Sequence, residues 1–148
     1  MNGVGLLGRT LPNILSDRLL GPLNTITPFA FLSGLLLISW SGVSTRAGLY
    51  AFATIYGLVS AGVQGMFPAA LSSLTTDLRR QGVRMGMGFS IVSVACLTGP
   101  PLAGALIQKE GGGYLGAQMW AGAVMVAGGC VLCAARVAKV GWVLRAKV

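Results

Sequence analysis

The stretch AGLYAFATIYGLVSAGVQGMFPAALSSLTT, residues 47–76, contains no charged residue and lies between Arg46 and Asp77. A helix needs about 20 apolar residues to cross the hydrocarbon core of a bilayer. This stretch is therefore long enough to span a membrane, and it decides the fold class. Comparable uncharged stretches run from Arg18 to Arg46, from Arg84 to Lys109, and from Glu110 to Arg136.

The composition is also typical of a membrane protein. Charged residues make up 9% of the chain and hydrophobic residues 54%, and the mean hydropathy is +0.76. In soluble domains roughly a quarter of the residues are charged. A water-soluble core of this size could not bury so much apolar surface, so the lipid bilayer is the first expected partner.

The net charge of +8 could suggest a nucleic-acid partner, but the placement of the basic residues argues against one. If the spans alternate in direction, Arg46 and Lys109 fall on one side, and Arg9 lies within a span. Such an asymmetry is the positive-inside pattern, and it predicts a multi-pass protein with a cytoplasmic C-terminus and no nucleic-acid partner. The basic residues on the opposite, cytoplasmic side are Arg18, Arg79, Arg80, Arg84, Arg136, Lys139, Arg145 and Lys147.

We expect an all-α fold, a polytopic membrane helix bundle of about five helices, one partial and four full. The helices are predicted at about residues 3–16, 25–43, 47–75, 85–107 and 117–135, followed by a basic cytoplasmic tail at 136–148. The links are short, so neighbouring helices should be antiparallel. The first helix covers only about 20 Å of a core that is about 30 Å thick. We therefore expect the chain to begin partway through a crossing, as a fragment would.

Small residues spaced four apart recur in the spans, and in lipid they permit close helix approach. Examples are Gly57, Ala61 and Gly65 in helix 47–75, and Ala123 and Ala127 in helix 117–135. For any single pair, ordinary tight packing is the preferred interpretation over a sliding interface.

Gly99, Pro100 and Pro101 predict a bend in helix 85–107. Each proline lacks an N–H donor, so the carbonyls of Cys96 and Leu97 lose their helical partners. The bend could serve gating or could only shape the bundle.

The sequence offers almost no material for catalysis, so we do not expect an enzyme. It has no histidine, and its acids, Asp17, Asp77 and Glu110, are predicted to lie in loops. Cys130 and Cys133 form a CxxC pair without a second pair of ligands, so the cysteines are interpreted as packing residues. No cofactor and no metal site are expected.

Two polar residues within the spans are the candidates for solute binding. Arg9 lies in the first helix, and an arginine at membrane depth costs several kcal/mol unless it faces a cavity or a partner. Two interpretations stay open: Arg9 faces a cavity, or it lies near the cytoplasmic interface and snorkels. Gln64 follows helical spacing with Ala61 and Pro68 along one stripe, and we expect it to line a solute path.

As a set, several segments resemble monocarboxylate-transporter-like members of the major facilitator superfamily (MFS), most closely the fungal branch. They are Gly8-Arg9, Asp17-Arg18 with Gly21-Pro22-Leu23-Asn24, the stretch at 47–74, GVRMGMGFSIVSVACLTGPPLAGALI at 82–107, and GGYLGAQMWAGAV at 112–124. The resemblance covers nearly the whole chain. It implies that the helices correspond to the eighth to twelfth of a twelve-helix carrier, within its C-terminal six-helix bundle.

The resemblance also suggests residue roles, with two departures. Asp17, Arg18 and Gly21 match a cytoplasmic loop motif whose aspartate latches the two bundles together, although Asn13 replaces the motif's first glycine and one extra residue precedes Gly21. Arg9 matches a membrane arginine of proton-coupled relatives, but Gly5 occupies the place of their aspartate. Proton coupling through that pair is therefore in doubt.

The leading functional hypothesis is transport of a small organic solute, a monocarboxylate or related organic anion, by an alternating-access carrier. Helices 47–75 and 85–107 would face the cavity, and helices 25–43 and 117–135 would lie outside against lipid. The missing N-terminal bundle would be a required partner, so the chain alone should be inactive. The plasma membrane is expected in preference to an internal membrane.

The alternative is a small four-span membrane protein that does not transport and acts as a structural or regulatory partner. Seven further spans encoded upstream of Met1 would favour the carrier. An in-frame stop there, with a transcript that starts at Met1, would favour the stand-alone protein.

Overall fold

The computed structural model describes residues 2–16, 21–75 and 77–141. Within these ranges the chain is helical apart from its short links, which confirms the expected all-α bundle of five helices. A short 3₁₀ turn, Trp40–Gly42, follows the second helix. The helices are α1 (Asn2–Leu15), α2 (Pro22–Ser39), α3 (Arg46–Ser73), α4 (Leu78–Lys109) and α5 (Leu115–Val140).

Four segments of the described chain are long and apolar enough to cross a membrane: Pro22–Gly42, Arg46–Ser73, Arg79–Lys109 and Leu115–Lys139. The shortest has 21 residues, which at 1.5 Å per residue covers about 31 Å, close to the thickness of the hydrocarbon core. The α1 helix has only 14 residues.

The α4 helix begins at Leu78, well before the predicted start at residue 85. The Asp77 side chain caps it by accepting a hydrogen bond from the Arg79 N–H at 3.0 Å, which satisfies one of the free donors of the first turn. The sequence-based start was wrong because it was placed directly after the charged residues. A helix can begin in water and continue into the hydrocarbon, as α4 does. The α5 helix likewise extends past residue 135 to Val140, where Gly141 with φ of 72° ends it.

The α2 helix is the most enclosed of the described helices, because α3 and α5 pack on either side of it. Leu23 and Ile26 of α2 form a buried core with Met66 and Ala70 of α3. This arrangement differs from the expectation that helix 25–43 lies outside, although Leu32 and Leu35 on its other face are exposed.

Glycines set the crossing of α2 and α5. A Cβ atom added to Gly34 would lie 2.7 Å from Val126 Cγ2, and one added to Gly122 would lie 3.1 Å from the Gly34 carbonyl oxygen. Both distances are too short for any larger residue without movement. Ala123 and Ala127, the small pair named from the sequence, are exposed instead.

The α4 helix lies at the edge of the described bundle. None of the residues in its membrane-spanning window is buried. Gly82, Gly86, Gly99 and Gly104 of α4 all have open space where a Cβ would project. These four glycines are thus not used for packing within the described chain, whereas Gly88 is, because a Cβ there would lie 2.5 Å from Leu71 Cδ2 of α3.

Candidate functional site

A partly open cavity of about 690 Å³ lies between α1, α3 and α4. We call it the Arg9 cavity, because Arg9 is the charged side chain in its lining. The wall is otherwise mainly apolar, with Gln64 as a second polar group. The lining residues are Arg9 of α1, Val63, Gln64, Gly65, Phe67 and Pro68 of α3, and Phe89, Val92 and Cys96 of α4.

The structure brings together the two residues that the sequence singled out. An Nη2 N–H group of Arg9 donates a hydrogen bond to Oε1 of Gln64 at 3.4 Å, and both side chains are exposed to the cavity. This distance is long for an N–H···O bond. A guanidinium group has five N–H donors, and this bond uses one of them. The pair therefore retains donor capacity for a ligand.

A close approach of α1 and α3 positions Arg9. A Cβ on Gly65 would lie 3.4 Å from the Cα, Cβ and Cγ atoms of Arg9, so α1 rests directly on α3 at this level. One turn earlier along α3, a Cβ on Gly62 would lie 3.1 Å from Pro12 Cγ. Gly8 makes the closest approach, to the Leu58 carbonyl oxygen.

Sequence reasoning identified this α1/α3 contact only in part. Ala61 and Gly65 of the proposed small-residue stripe do face α1, but Gly57 has open space beside it. Gly8 and Gly62 were not assigned to the contact. The sequence contained one indication of this contact, because Gly8 directly precedes Arg9. A glycine at that position lets α1 approach α3 closely, and the close approach places Arg9 in the cavity wall.

The depth of Arg9 follows from the same contact. Arg9 lies level with Gly65, which is eight residues before the end of α3 at Ser73. At 1.5 Å per residue the backbone of Arg9 is about 12 Å from that end of the helix. Arg9 also lines the cavity, and this position favours the cavity interpretation over snorkelling at the interface.

Two phenylalanine rings form the apolar side of the cavity. Phe67 of α3 and Phe89 of α4 meet edge to face, with ring centroids 5.7 Å apart and an interplanar angle of 74°. Phe67 also packs against the buried core, whereas Phe89 is 49% exposed. The pair is one of the few places where α4 contacts α3.

The other predicted site residues lie away from the cavity. Asp17 and Arg18 fall outside the described residues. Gly21 is buried with φ of 83°, and its N–H donates to the Ser16 carbonyl oxygen at 2.8 Å, so a conformation favoured by glycine leads into α2. The α4 helix continues without interruption through Gly99, Pro100 and Pro101, and the bend there stays a prediction.

Basic residues near one end of the bundle bind the ends of other helices. Arg136 Nε of α5 donates to Asn24 Oδ1 of α2, and Lys139 Nζ donates to the Ser73 carbonyl oxygen. Arg84 Nη1 of α4 donates to the Leu74 carbonyl oxygen at 3.4 Å. Cations near the carbonyl end of α3 also interact favourably with its helix dipole. These contacts tie α5 to α2, and both α4 and α5 to the end of α3.

No family model matches the chain, and no solved structure matches it significantly. Curated fungal proteins do. An MFS-type transporter of Gibberella zeae is 38% identical over 136 residues, which cover 92% of this chain and 31% of that protein. The aspyridones efflux protein apdF of Emericella nidulans is 33% identical, over 91% of this chain and 27% of that protein.

A third relative, the MFS-type transporter hasB of Aspergillus fumigatus, is 36% identical over 99% of this chain and 34% of its own length. The chain therefore spans about a third of the length of the relatives it matches. Over nearly all of its length, the chain is similar to a portion of fungal MFS-type transporters.

Proposed function

We propose that this chain is the C-terminal portion of an MFS secondary carrier for a small organic anion, a monocarboxylate or a related acid. The observation that carries the proposal is the position of Arg9, a cation on an apolar helix that faces a cavity and lies about 12 Å from the end of α3. An intramembrane cation that faces a cavity is a binding-site hypothesis by default. The similarity to transporters over 92% of the chain supports the same conclusion.

In this proposal Arg9 and Gln64 hold the anionic group of the solute. The guanidinium group can donate two parallel hydrogen bonds to a carboxylate, which gives both strength and orientation. Because Gln64 Oε1 accepts from Arg9, its amide N–H groups are left to donate to the same carboxylate. The mainly apolar wall then contacts the body of the solute.

The helices would be the eighth to twelfth of the carrier, and the missing N-terminal bundle would close the other side of the site. Alternating access needs two bundles that rock against each other around a site near the midplane, so this chain alone should not transport. The clustering of basic residues near one end of the bundle supports a cytoplasmic C-terminus, and we propose the plasma membrane as the location. Gly5 offers no acid for proton coupling beside Arg9.

The test uses the chain joined to the N-terminal bundle of one of its relatives, reconstituted in proteoliposomes. Hydrogen bonds to charged groups are worth about 1.5–3 kcal/mol, so Arg9→Gln should reduce uptake of the transported acid about tenfold or more. Gln64→Ala should reduce uptake by a smaller factor. Arg46→Gln is the matched control, because Arg46 is exposed at the first turn of α3, away from the cavity.

Unchanged uptake in both cavity variants would refute the site assignment. An equal loss in the Arg46 control would show that the effect of Arg9→Gln is general and not specific to the cavity.

A further inference from the structure

We infer that the Arg9 cavity selects aryl carboxylates, acids whose carboxylate is attached directly to an aromatic ring system, over saturated acids of the same size. This inference rests on the proposed function and names its class of substrate. It follows from the separation of polar and aromatic groups along the cavity wall.

The polar and aromatic groups of α3 lie one turn apart on the same face. Gln64 and Phe67 are three residues apart, so they are neighbours on the helix surface, with a rise of about 4.5 Å between them. Gln64 contacts Arg9, and Phe67 contacts Phe89. A ligand bound by its anionic end at Arg9 would therefore place the group next to its carboxylate beside the two rings. In an aryl carboxylate that group is an aromatic ring.

The α4 helix contributes a matching apolar stripe. Phe89, Val92 and Cys96 follow the i, i+3, i+7 spacing of one helix face, and all of them line the cavity. Only Phe89 among these has a ring, and about half of its surface is exposed. Part of the Phe89 side chain is therefore uncovered, and it lines the cavity where the ligand ring would lie.

The two phenylalanines are oriented before any ligand arrives. Phe67 is held by the buried core, and its edge-to-face contact at 5.7 Å orients Phe89. A ring that joins such a pair gains a favourable electrostatic geometry beyond the burial of its apolar area, and pre-oriented side chains lose little entropy on binding. A saturated acid of equal size gains only the free energy of burying its apolar area. The cavity should therefore bind the aromatic acid about three- to tenfold more tightly than the saturated acid.

The experiment measures how well ligands protect Cys96 from N-ethylmaleimide in the complete 148-residue chain in lipid nanodiscs. Cys96 lines the cavity, and a Cys130→Ala, Cys133→Ala background leaves it as the reacting thiol. The probes are 1-naphthoate, its saturated analogue decahydronaphthalene-1-carboxylate, and the uncharged 1-naphthalenemethanol. A Cys96→Ala, Cys133→Ala chain is the control, since Cys130 lies on α5, outside the cavity, and should not be protected.

We expect 1-naphthoate to protect Cys96 at a three- to tenfold lower concentration than the saturated acid. Phe89→Leu and Phe67→Leu should bring that ratio close to one while changing protection by the saturated acid less than twofold. The Phe89 variant keeps the test valid if Phe67→Leu disturbs the core, because Phe89 is exposed.

The outcomes separate the two proposals. Equal protection by both acids, weakened in Arg9→Gln, would overturn the aryl preference and leave the anion site standing. Protection by 1-naphthalenemethanol as strong as that by 1-naphthoate, with no effect of Arg9→Gln on protection by the acids, would overturn the anion site. Absence of protection by all of the probes would overturn both.

Discussion

Gly8 allows the chain to hold Arg9 in the cavity wall. A Cβ on Gly8 would overlap the Leu58 carbonyl oxygen and lie 3.0 Å from Leu58 Cα. Both atoms belong to the backbone of α3 and cannot move aside as the end of a side chain can. Any larger residue at this position would push α1 away from α3, and Arg9 is the next residue along α1.

We therefore predict that Gly8→Ala lowers the free energy of unfolding by about 1–3 kcal/mol, the usual cost of overpacking. The loss should appear even though alanine favours a helix interior over glycine by about 1 kcal/mol. Equilibrium unfolding in mixed SDS and dodecylmaltoside micelles measures it. Gly57→Ala is the matched control, because nothing lies within 4 Å of its Cβ position, and it should leave stability unchanged or raise it. Equal losses in both variants would contradict the assignment of Gly8 to the contact.

At the level of single helices, the first turns of α4 show how one side chain extends an element beyond the apolar segment. The window from Leu78 to Arg84 holds three arginines, and the helix begins there because Asp77 accepts the Arg79 N–H. Asp77 Oδ2 also lies 3.5 Å from Arg80 Nε. That ion pair is exposed and should add little, since exposed pairs are worth about 0–1 kcal/mol. The hydrogen bond from the Arg79 N–H to Asp77 therefore contributes more than the ion pair to the stability of the first turn of α4.

Asp77→Ala should therefore fray the first turns of α4, at a cost of about 0.5–2 kcal/mol. Amide hydrogen exchange should become faster at residues 78–84 and stay unchanged in the middle of α4. Asp77→Asn separates the cap from the charge, because asparagine caps as well as aspartate but cannot pair with Arg80. Near-normal protection is expected in Asp77→Asn. If both substitutions speed exchange equally, the charge and not the cap holds this end.

In the molecule as a whole, the helices differ in how much of their surface is covered. The α2 helix is flanked by α3 and α5, and 44% of the residues in its apolar membrane-spanning segment are buried. In the corresponding segment of α4 no residue is buried. Leu97 and Ile91 on α4 are 77% and 73% exposed. In the proposed carrier, lipid and the missing helices would cover these side chains.

This difference predicts the order in which the helices lose structure in the isolated chain. Local stability follows the number of buried apolar contacts, so α4 should lose amide protection at a lower SDS fraction than α2. Hydrogen exchange followed by mass spectrometry across an SDS titration measures the order. The α5 helix serves as the internal comparison and should follow α2, because the two interlock at Gly34 and Gly122. Simultaneous loss in α2 and α4 would contradict the inferred difference in packing.

The class of fold and the number of spans follow from the amino-acid sequence alone, because transfer of a residue into lipid depends on that residue and its near neighbours. The uncharged stretch at 47–76 and its three counterparts therefore predicted the long helices correctly. Helix ends were less accurate, as at Leu78, since caps and charges act there rather than hydropathy. Arg9 and Gln64 could also be selected from the sequence, because a polar group is conspicuous in an apolar span.

The contacts between those helices could not be inferred in the same way. Which face of α1 meets α3 depends on the steric fit of Gly8 and Gly62 against residues about 50 positions away, and the Phe67–Phe89 contact likewise depends on how α4 crosses α3. Sequence spacing shows that a helix has a small-residue face, but many such faces could pair. Hydropathy is a local property that a linear chain displays directly, whereas the cavity arises from volumes that match only after distant segments have packed.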